Sequence, residues 1–133
     1  MLHRLGNELL KVTAKHETVA IWMVRKKNSI NIMITNWALP RHLIKTEIVK
    51  VQLDNIKKVK ASFIERIDDD HANARKTCTG TDSRGSLMPN EVSALELASA
   101  IIMEPFTTRQ VKGSVFAEVT MPPQGGCLYN FRN

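Results

Sequence analysis

With 133 residues, 43% of them apolar and 24% charged, the chain can bury a core without disulfide staples and has the balance of an ordinary globular domain. No apolar run approaches the ~18 residues of a membrane helix, and the N-terminal MLHRLGNELLKV lacks the apolar core of a secretory signal. The net charge of +6 is uneven: residues 1–60 hold 12 Lys/Arg against 4 Asp/Glu, residues 61–133 hold 7 against 9.

These features predict a cytoplasmic protein with no membrane partner, in which Cys78 and Cys127 are reduced thiols. Two Trp, one Tyr and four Phe leave the core to Ile, Val, Leu, Met and Ala. The basic first half suits a face that meets polyanions, though lysines that merely keep a protein soluble give the same balance.

In chain order, residues 4–13 fit a short helix with Leu5, Leu9, Leu10 and Val12 near one face. Residues 17–24 and 30–37 are rich in strand formers, and the polar Arg25-Lys26-Lys27-Asn28-Ser29 between them suggests a β-hairpin. A helix over 30–39 stays open, because short apolar runs do not discriminate. Beyond Pro40, Ile44, Ile48, Ile56, Val59, Phe63 and Ile67 recur at helical spacings, yet Val49, Val51 and Leu53 alternate with polar residues as in a strand. Asp54 can cap a second helix running to Ile67, where Asp68-Asp69-Asp70 opposes the helix dipole. Residues 71–90 read as a loop around Asp82-Ser83-Arg84-Gly85. A helix is predicted from Asn90, with Val92, Leu95, Ala98, Ile101 and Ile102 as its apolar stripe, ending at Pro105. Residues 114–121 alternate as a strand, with Val115, Ala117, Val119 and Met121 on one face. The expected organisation is one globular domain over 1–121 and a mobile tail over 122–133 that opens with Pro122-Pro123.

Thr46–Ile67 is the segment that points most directly to a function. Two short helices meeting at Asp54-Asn55 would form a helix-turn-helix, since Asn and Asp tolerate the turn geometry. Lys57, Lys58 and Lys60 would then start the recognition helix, with Asn55 and Ser62 adding hydrogen bonds, while Arg41, Lys45 and Lys50 would hold phosphates. One amphipathic helix with a solvated lysine face accounts for the same residues.

Trp37, Thr46-Glu47-Ile48 and Ala61-Ser62-Phe63-Ile64 with Ile67 resemble the CaiF/GrlA-type activators of enteric bacteria. The resemblance covers about residues 30–67 and implies a winged helix-turn-helix preceded by a helix over Ile30–Trp37. The sequence departs from that pattern in having no glycine at the turn, an extra residue near Leu53 and no cysteine-rich wing.

Other constellations are weaker. Leu97–Val111 places apolar residues as a second helix-turn-helix would, with Arg109 and Lys112 as contacts, but a core helix followed by a strand suits Pro105-Phe106 better. Asp68-Asp69-Asp70-His71 with Cys78 matches no structural zinc spacing. A Cys78 nucleophile has no nameable orienting group, and the glycines form no phosphate loop. Trp22 and Trp37 flank a basic turn as in RNA-stacking sheets, although with so few aromatics both are expected in the core. The sequence therefore predicts an α+β, winged-helix-like regulator with a β-hairpin that binds double-stranded DNA and is no enzyme. It needs no metal or cofactor, and it has a homodimer mate or an acidic protein as possible partners. A protein-interaction module of phage, plasmid or assembly type and an RNA-binding component are the alternatives.

Overall fold

The computed structural model describes residues 5–56, 58–78 and 86–132. Period-two patterning governs most of them. The strands are β1 (Glu8–Leu10), β2 (Val19–Lys26), β3 (Ser29–Asn36), β4 (Glu47–Leu53), β5 (Ala61–Ile67), β6 (Met103–Pro105), β7 (Arg109–Val111), β8 (Ser114–Met121) and β9 (Gly125–Arg132). Two helices, α1 (Arg75–Cys78) and α2 (Pro89–Ser99), lie between β5 and β6. A six-stranded sheet in the order β1-β2-β3-β9-β5-β6 faces a three-stranded sheet in the order β4-β8-β7, and every pairing is antiparallel.

The core lies between the two sheets. From the larger sheet come Ile30, Ile32 and Ile34 of β3, Ile64 of β5, and Cys127, Tyr129 and Phe131 of β9. From the smaller come Val49 and Leu53 of β4 and Val115, Ala117, Val119 and Met121 of β8. Each set occupies alternate positions, as side chains on one face of a strand must. The three aromatic rings Phe106, Tyr129 and Phe131 pack in a row, with centroids 4.8 and 5.8 Å apart. Asn36 ties the layers at one end: its buried amide donates to the carbonyls of Lys45 (2.8 Å), Met121 (3.1 Å) and Pro122 (3.3 Å).

The winged-helix expectation is corrected. Thr46–Ile67 contains no helix among its described residues; it is β4, a loop and β5. The alternation of Val49, Val51 and Leu53 with Lys50, Gln52 and Asp54 was the true signal, because β4 buries one face against the core and exposes the other. The helical spacings joined residues from separate strands. Asn55 does take a left-handed turn (φ 61°), but it turns a loop that inserts Ile56 into the core, where the Ile56 N–H donates to the Gly113 carbonyl at 3.0 Å. The helix implied over Ile30–Trp37 is strand β3, and of the short helix placed over 4–13 only Glu8–Leu10 takes regular structure among the described residues, as strand β1.

The stretch expected as a mobile tail is β9, the strand between β3 and β5, and Gln124 (φ 57°) turns the chain into it. Helix α2 begins one residue before Asn90, with Pro89 in its first turn, and Glu91 accepts from the Met88 N–H at 2.7 Å. It ends at Ser99, short of Pro105, and buries no residue. Asp68 does not end a helix. Its N–H and carbonyl close a turn with His71 after β5. The Asp82–Gly85 turn lies outside the described residues.

The two readings of the 44–67 segment differ in where they put Ile48. It is 64% exposed on β4, whereas Leu53 is 4% exposed. Ile48→Ala is expected to change stability by no more than about 0.5 kcal/mol, and Leu53→Ala to cost about 2–5 kcal/mol, as read from urea unfolding. Gly6→Ala is expected to strip β1 from the sheet, since a Cβ there would stand 1.9 Å from the Arg25 carbonyl oxygen; faster amide exchange in β2 would report it.

Candidate functional site

A sandwich of this kind hides one face of each sheet and leaves the other to be explained. The outer face of the six-stranded sheet carries Trp22, Met33, Leu128, Glu65 and Met103 as one row across five strands. A second row runs through Val24, Asn31, Asn130 and Phe63. Leu128, Glu65 and Asn31 are buried on this face, and Asn130 donates its amide to the Asn31 side-chain oxygen. Arg132 stacks its guanidinium 4.9 Å from the centre of the Phe63 ring.

The next row runs through Ala20, Thr35 and Gly126, all small, and ends at Ile67 of β5. Beyond it stands Trp37, held beside Thr18 by a hydrogen bond from its N–H to the Thr18 carbonyl (2.9 Å). The result is an open cavity of about 560 Å3, with both Trp rings on its lining and His16, Glu17 and Gln124 among its polar residues. Both indoles were expected in the core. Instead Trp22 is 42% and Trp37 57% exposed, because each sits on the sheet face turned away from the facing layer.

A cluster of charges lies past the end of β5. Arg66 pairs with Glu104 across to β6, Lys76 pairs with Asp70, and Asp68 accepts from the His71 ring at 2.7 Å and from two backbone N–H groups. The Lys76 ammonium, by hydrogen bond and by charge, holds the Asp70 carboxyl below the usual range. Asp54 is held low in the same sense by hydrogen bonds from Gln52 (2.9 Å) and Ser114 (2.7 Å). Among the described residues there is no group of three or more His, Cys, Asp or Glu able to hold a metal. None of their helices is long and apolar enough to cross a membrane.

The residues predicted to bind nucleic acid do not share a helix. Arg41 is exposed in a left-handed turn (φ 80°). Lys45 lies 3.9 Å from Glu47, and Lys50 of β4 lies 3.9 Å from Glu118. Asn55, Lys58 and Lys60 are exposed in the loop after β4. Ser62 is on β5, its hydroxyl donating to the Phe106 carbonyl. Lys57 lies outside the described residues. Of the secondary candidates, Arg109 is exposed on β7 and Lys112 is exposed in the β7–β8 turn at φ 47°.

No family model matches the chain. It is 28% identical over 106 residues to a β-xylosidase of Caldicellulosiruptor saccharolyticus, a match that covers 78% of the chain and 22% of that enzyme. Its fold superposes on a monomeric β-xylosidase from Caulobacter crescentus CB15 with a TM-score of 0.73 at 14% identity, covering 98% of the chain and 29% of that structure. The GH39 enzyme from Xanthomonas axonopodis pv. citri gives the same TM-score at 10% identity, covering 98% and 28%. The chain thus spans less than a third of each relative's length.

These findings overturn the reading of a non-enzymatic, DNA-binding regulator. Helix-turn-helix recognition needs a helix to enter the major groove, and Lys58 and Lys60, meant for it, sit on a sandwich loop. The sequence relative is a glycosidase, and the sandwich recurs in glycosidase chains. The missed feature was the outer face of the larger sheet. Its one signal in the sequence was that 19–24 and 30–35 carry apolar residues on both alternating faces.

Cys127 gives this region a pH signature. Its thiol sits between the layers, 3.5 Å from the Met121 sulfur, and burial pushes its pKa up to about 12. The folded state therefore keeps the proton while the unfolded thiol loses it above about 8.5, so stability is full below that pH and falls as pH rises towards 12. Cys127→Ala is expected to flatten the alkaline limb of a stability–pH curve. Native Cys127 is expected to resist a thiol reagent that modifies the exposed Cys78.

Proposed function

We propose that the chain is the β-sandwich unit of a glycoside hydrolase that acts on β-linked xylosides. One observation carries the reading: nearly the whole sandwich superposes on a β-xylosidase, and an independent sequence likeness points to the same class of enzyme.

Glycoside hydrolysis ordinarily needs two carboxyl groups, about 5–5.5 Å apart for retention or about 6.5–9.5 Å for inversion, with one kept protonated as the acid. Four carboxyls among the described residues are engaged otherwise. Glu104 is tied to Arg66 and Glu118 faces Lys50. Asp54 and Asp70 are held below their ordinary range, the opposite of what a general acid requires. The reading therefore assigns the catalytic pair to a companion catalytic domain, and gives this chain the role of supporting that domain and extending its contact with substrate.

The test is a graft. The Caulobacter β-xylosidase is stripped of the segment that superposes on this chain, and the chain is inserted there. Hydrolysis of an aryl β-xyloside is expected to fall in the deletion and to return in the graft, while the 133-residue chain alone stays inactive. A graft that folds cooperatively but is as inactive as the deletion overturns the reading. Turnover by the chain alone would overturn the division of labour.

A further inference from the structure

We infer that the trough between Trp22 and Trp37 is a saccharide-binding subsite. The inference of the site stands on geometry; the choice of a xylo-oligosaccharide rests on the function proposed above.

The register fixes the shape of the trough. Thr18, Ala20 and Trp22 share one face of the β2 strand and its lead-in, and Trp37 is bonded beside Thr18. The two indoles thus stand about four strand residues apart, roughly 13 Å at ~3.3 Å per residue. Ala20, Thr35 and Gly126 form the floor between them, on three adjacent strands, and Ile67 of β5 stands beside Gly126 at its far side. Gly126 is not required by the backbone, because it does not take a positive φ. A Cβ on it would meet nothing nearer than the Ile34 carbonyl oxygen and the Thr35 methyl, both at 3.8 Å. What the glycine provides at this position is depth.

The chemistry of the walls fits a sugar better than other occupants. A pyranose presents C–H groups on its faces and hydroxyls around its edge. Its C–H face packs on the electron-rich face of an indole, and its hydroxyls need donors and acceptors at the rim. The rim supplies the Glu17 carboxylate, the Thr18 hydroxyl and the Gln124 amide, which is held in place by donating to the Ala38 carbonyl at 3.1 Å. A lipid chain would leave those polar groups buried and unmatched. The volume of about 560 Å3 lies within the ~300–1,000 Å3 of small-molecule sites.

The 133-residue chain is titrated with xylohexaose, following tryptophan fluorescence and calorimetry, with cellohexaose and maltohexaose as comparisons. Saturable binding is expected, with a change in indole emission. Trp22→Ala and Trp37→Ala should each weaken it about tenfold. Gly126→Val should abolish it by filling the floor, and should leave the melting temperature unchanged because a β-branched residue suits an extended strand and its Cβ makes only ordinary van der Waals contacts there. The absence of saturable binding by any of the three oligosaccharides, or binding that survives both Trp substitutions, overturns the subsite. Saturable, Trp-dependent binding of cellohexaose but not of xylohexaose supports the subsite and counts against the xyloside assignment. The graft experiment tests the parent enzyme separately, so the two failures are distinguishable.

Discussion

The structure depends on where β9 goes. The chain makes the β2–β3 hairpin and, much later, β5, and neither can complete a sheet alone. β9 enters between β3 and β5, pairing Ile32 with Tyr129 on one side and Ile64 with Tyr129 on the other. Each backbone group of that strand thereby finds a ladder partner, and Cys127, Tyr129 and Phe131 are delivered to the core. Burial pushes the Tyr129 hydroxyl's pKa up, in keeping with a ring at the centre of the stack. The pairing joins β9 to residues 89–103 positions away in β3 and 59–71 positions away in β5. Such contacts are slow to form and are made only once the loop-closure entropy has been overcome. Without β9 the six-stranded sheet separates into a three-stranded and a two-stranded piece.

That arrangement also makes the second face. A strand in the middle of a sheet shows half its side chains to the core and half to the other side. Here the other half is apolar or aromatic at Trp22, Met33, Leu128, Met103 and Phe63, with Asn31 and Glu65 buried among them and Asn130 half-buried. An antiparallel sheet with one solvated face usually alternates apolar with polar residues. The departure from that rule in β2, β3 and β9 belongs with a surface that receives something. The trough between Trp22 and Trp37 occupies one end of that face.

Parts of the fold were legible. The alternation of Ser114 to Met121 was unambiguous, and the structure buries the four residues that share its inward face. The helix near Asn90 was readable from Glu91 and the apolar stripe behind it, although its end was not, since Ala100 leaves helical geometry five residues before Pro105. The register of 44–67 was not readable. Its apolar residues satisfied both a 3.6 and a 2.0 period, and only the facing layer decides between them. The tail was misjudged for a similar reason. Gly125-Gly126 and the prolines before it read as disorder, whereas one glycine lies against Pro122 in the turn and the other floors the trough. The candidate site was hardly legible at all: the two Trp residues were visible, but their exposure was not.

The sequence by itself determined the alternation of 114–121, the hairpin of 17–37, the start of the helix near Asn90 and the uneven charge, because each of these is set by neighbours within a few residues. Tertiary structure decided the rest: which strands are neighbours, that the C-terminal segment is central, and that Lys58 and Lys60 of the β4–β5 loop belong to no recognition helix. It also decided which of two apolar faces is buried. A strand with apolar residues on both faces carries no information about which one the second sheet will cover, and that choice is made only by long-range pairing.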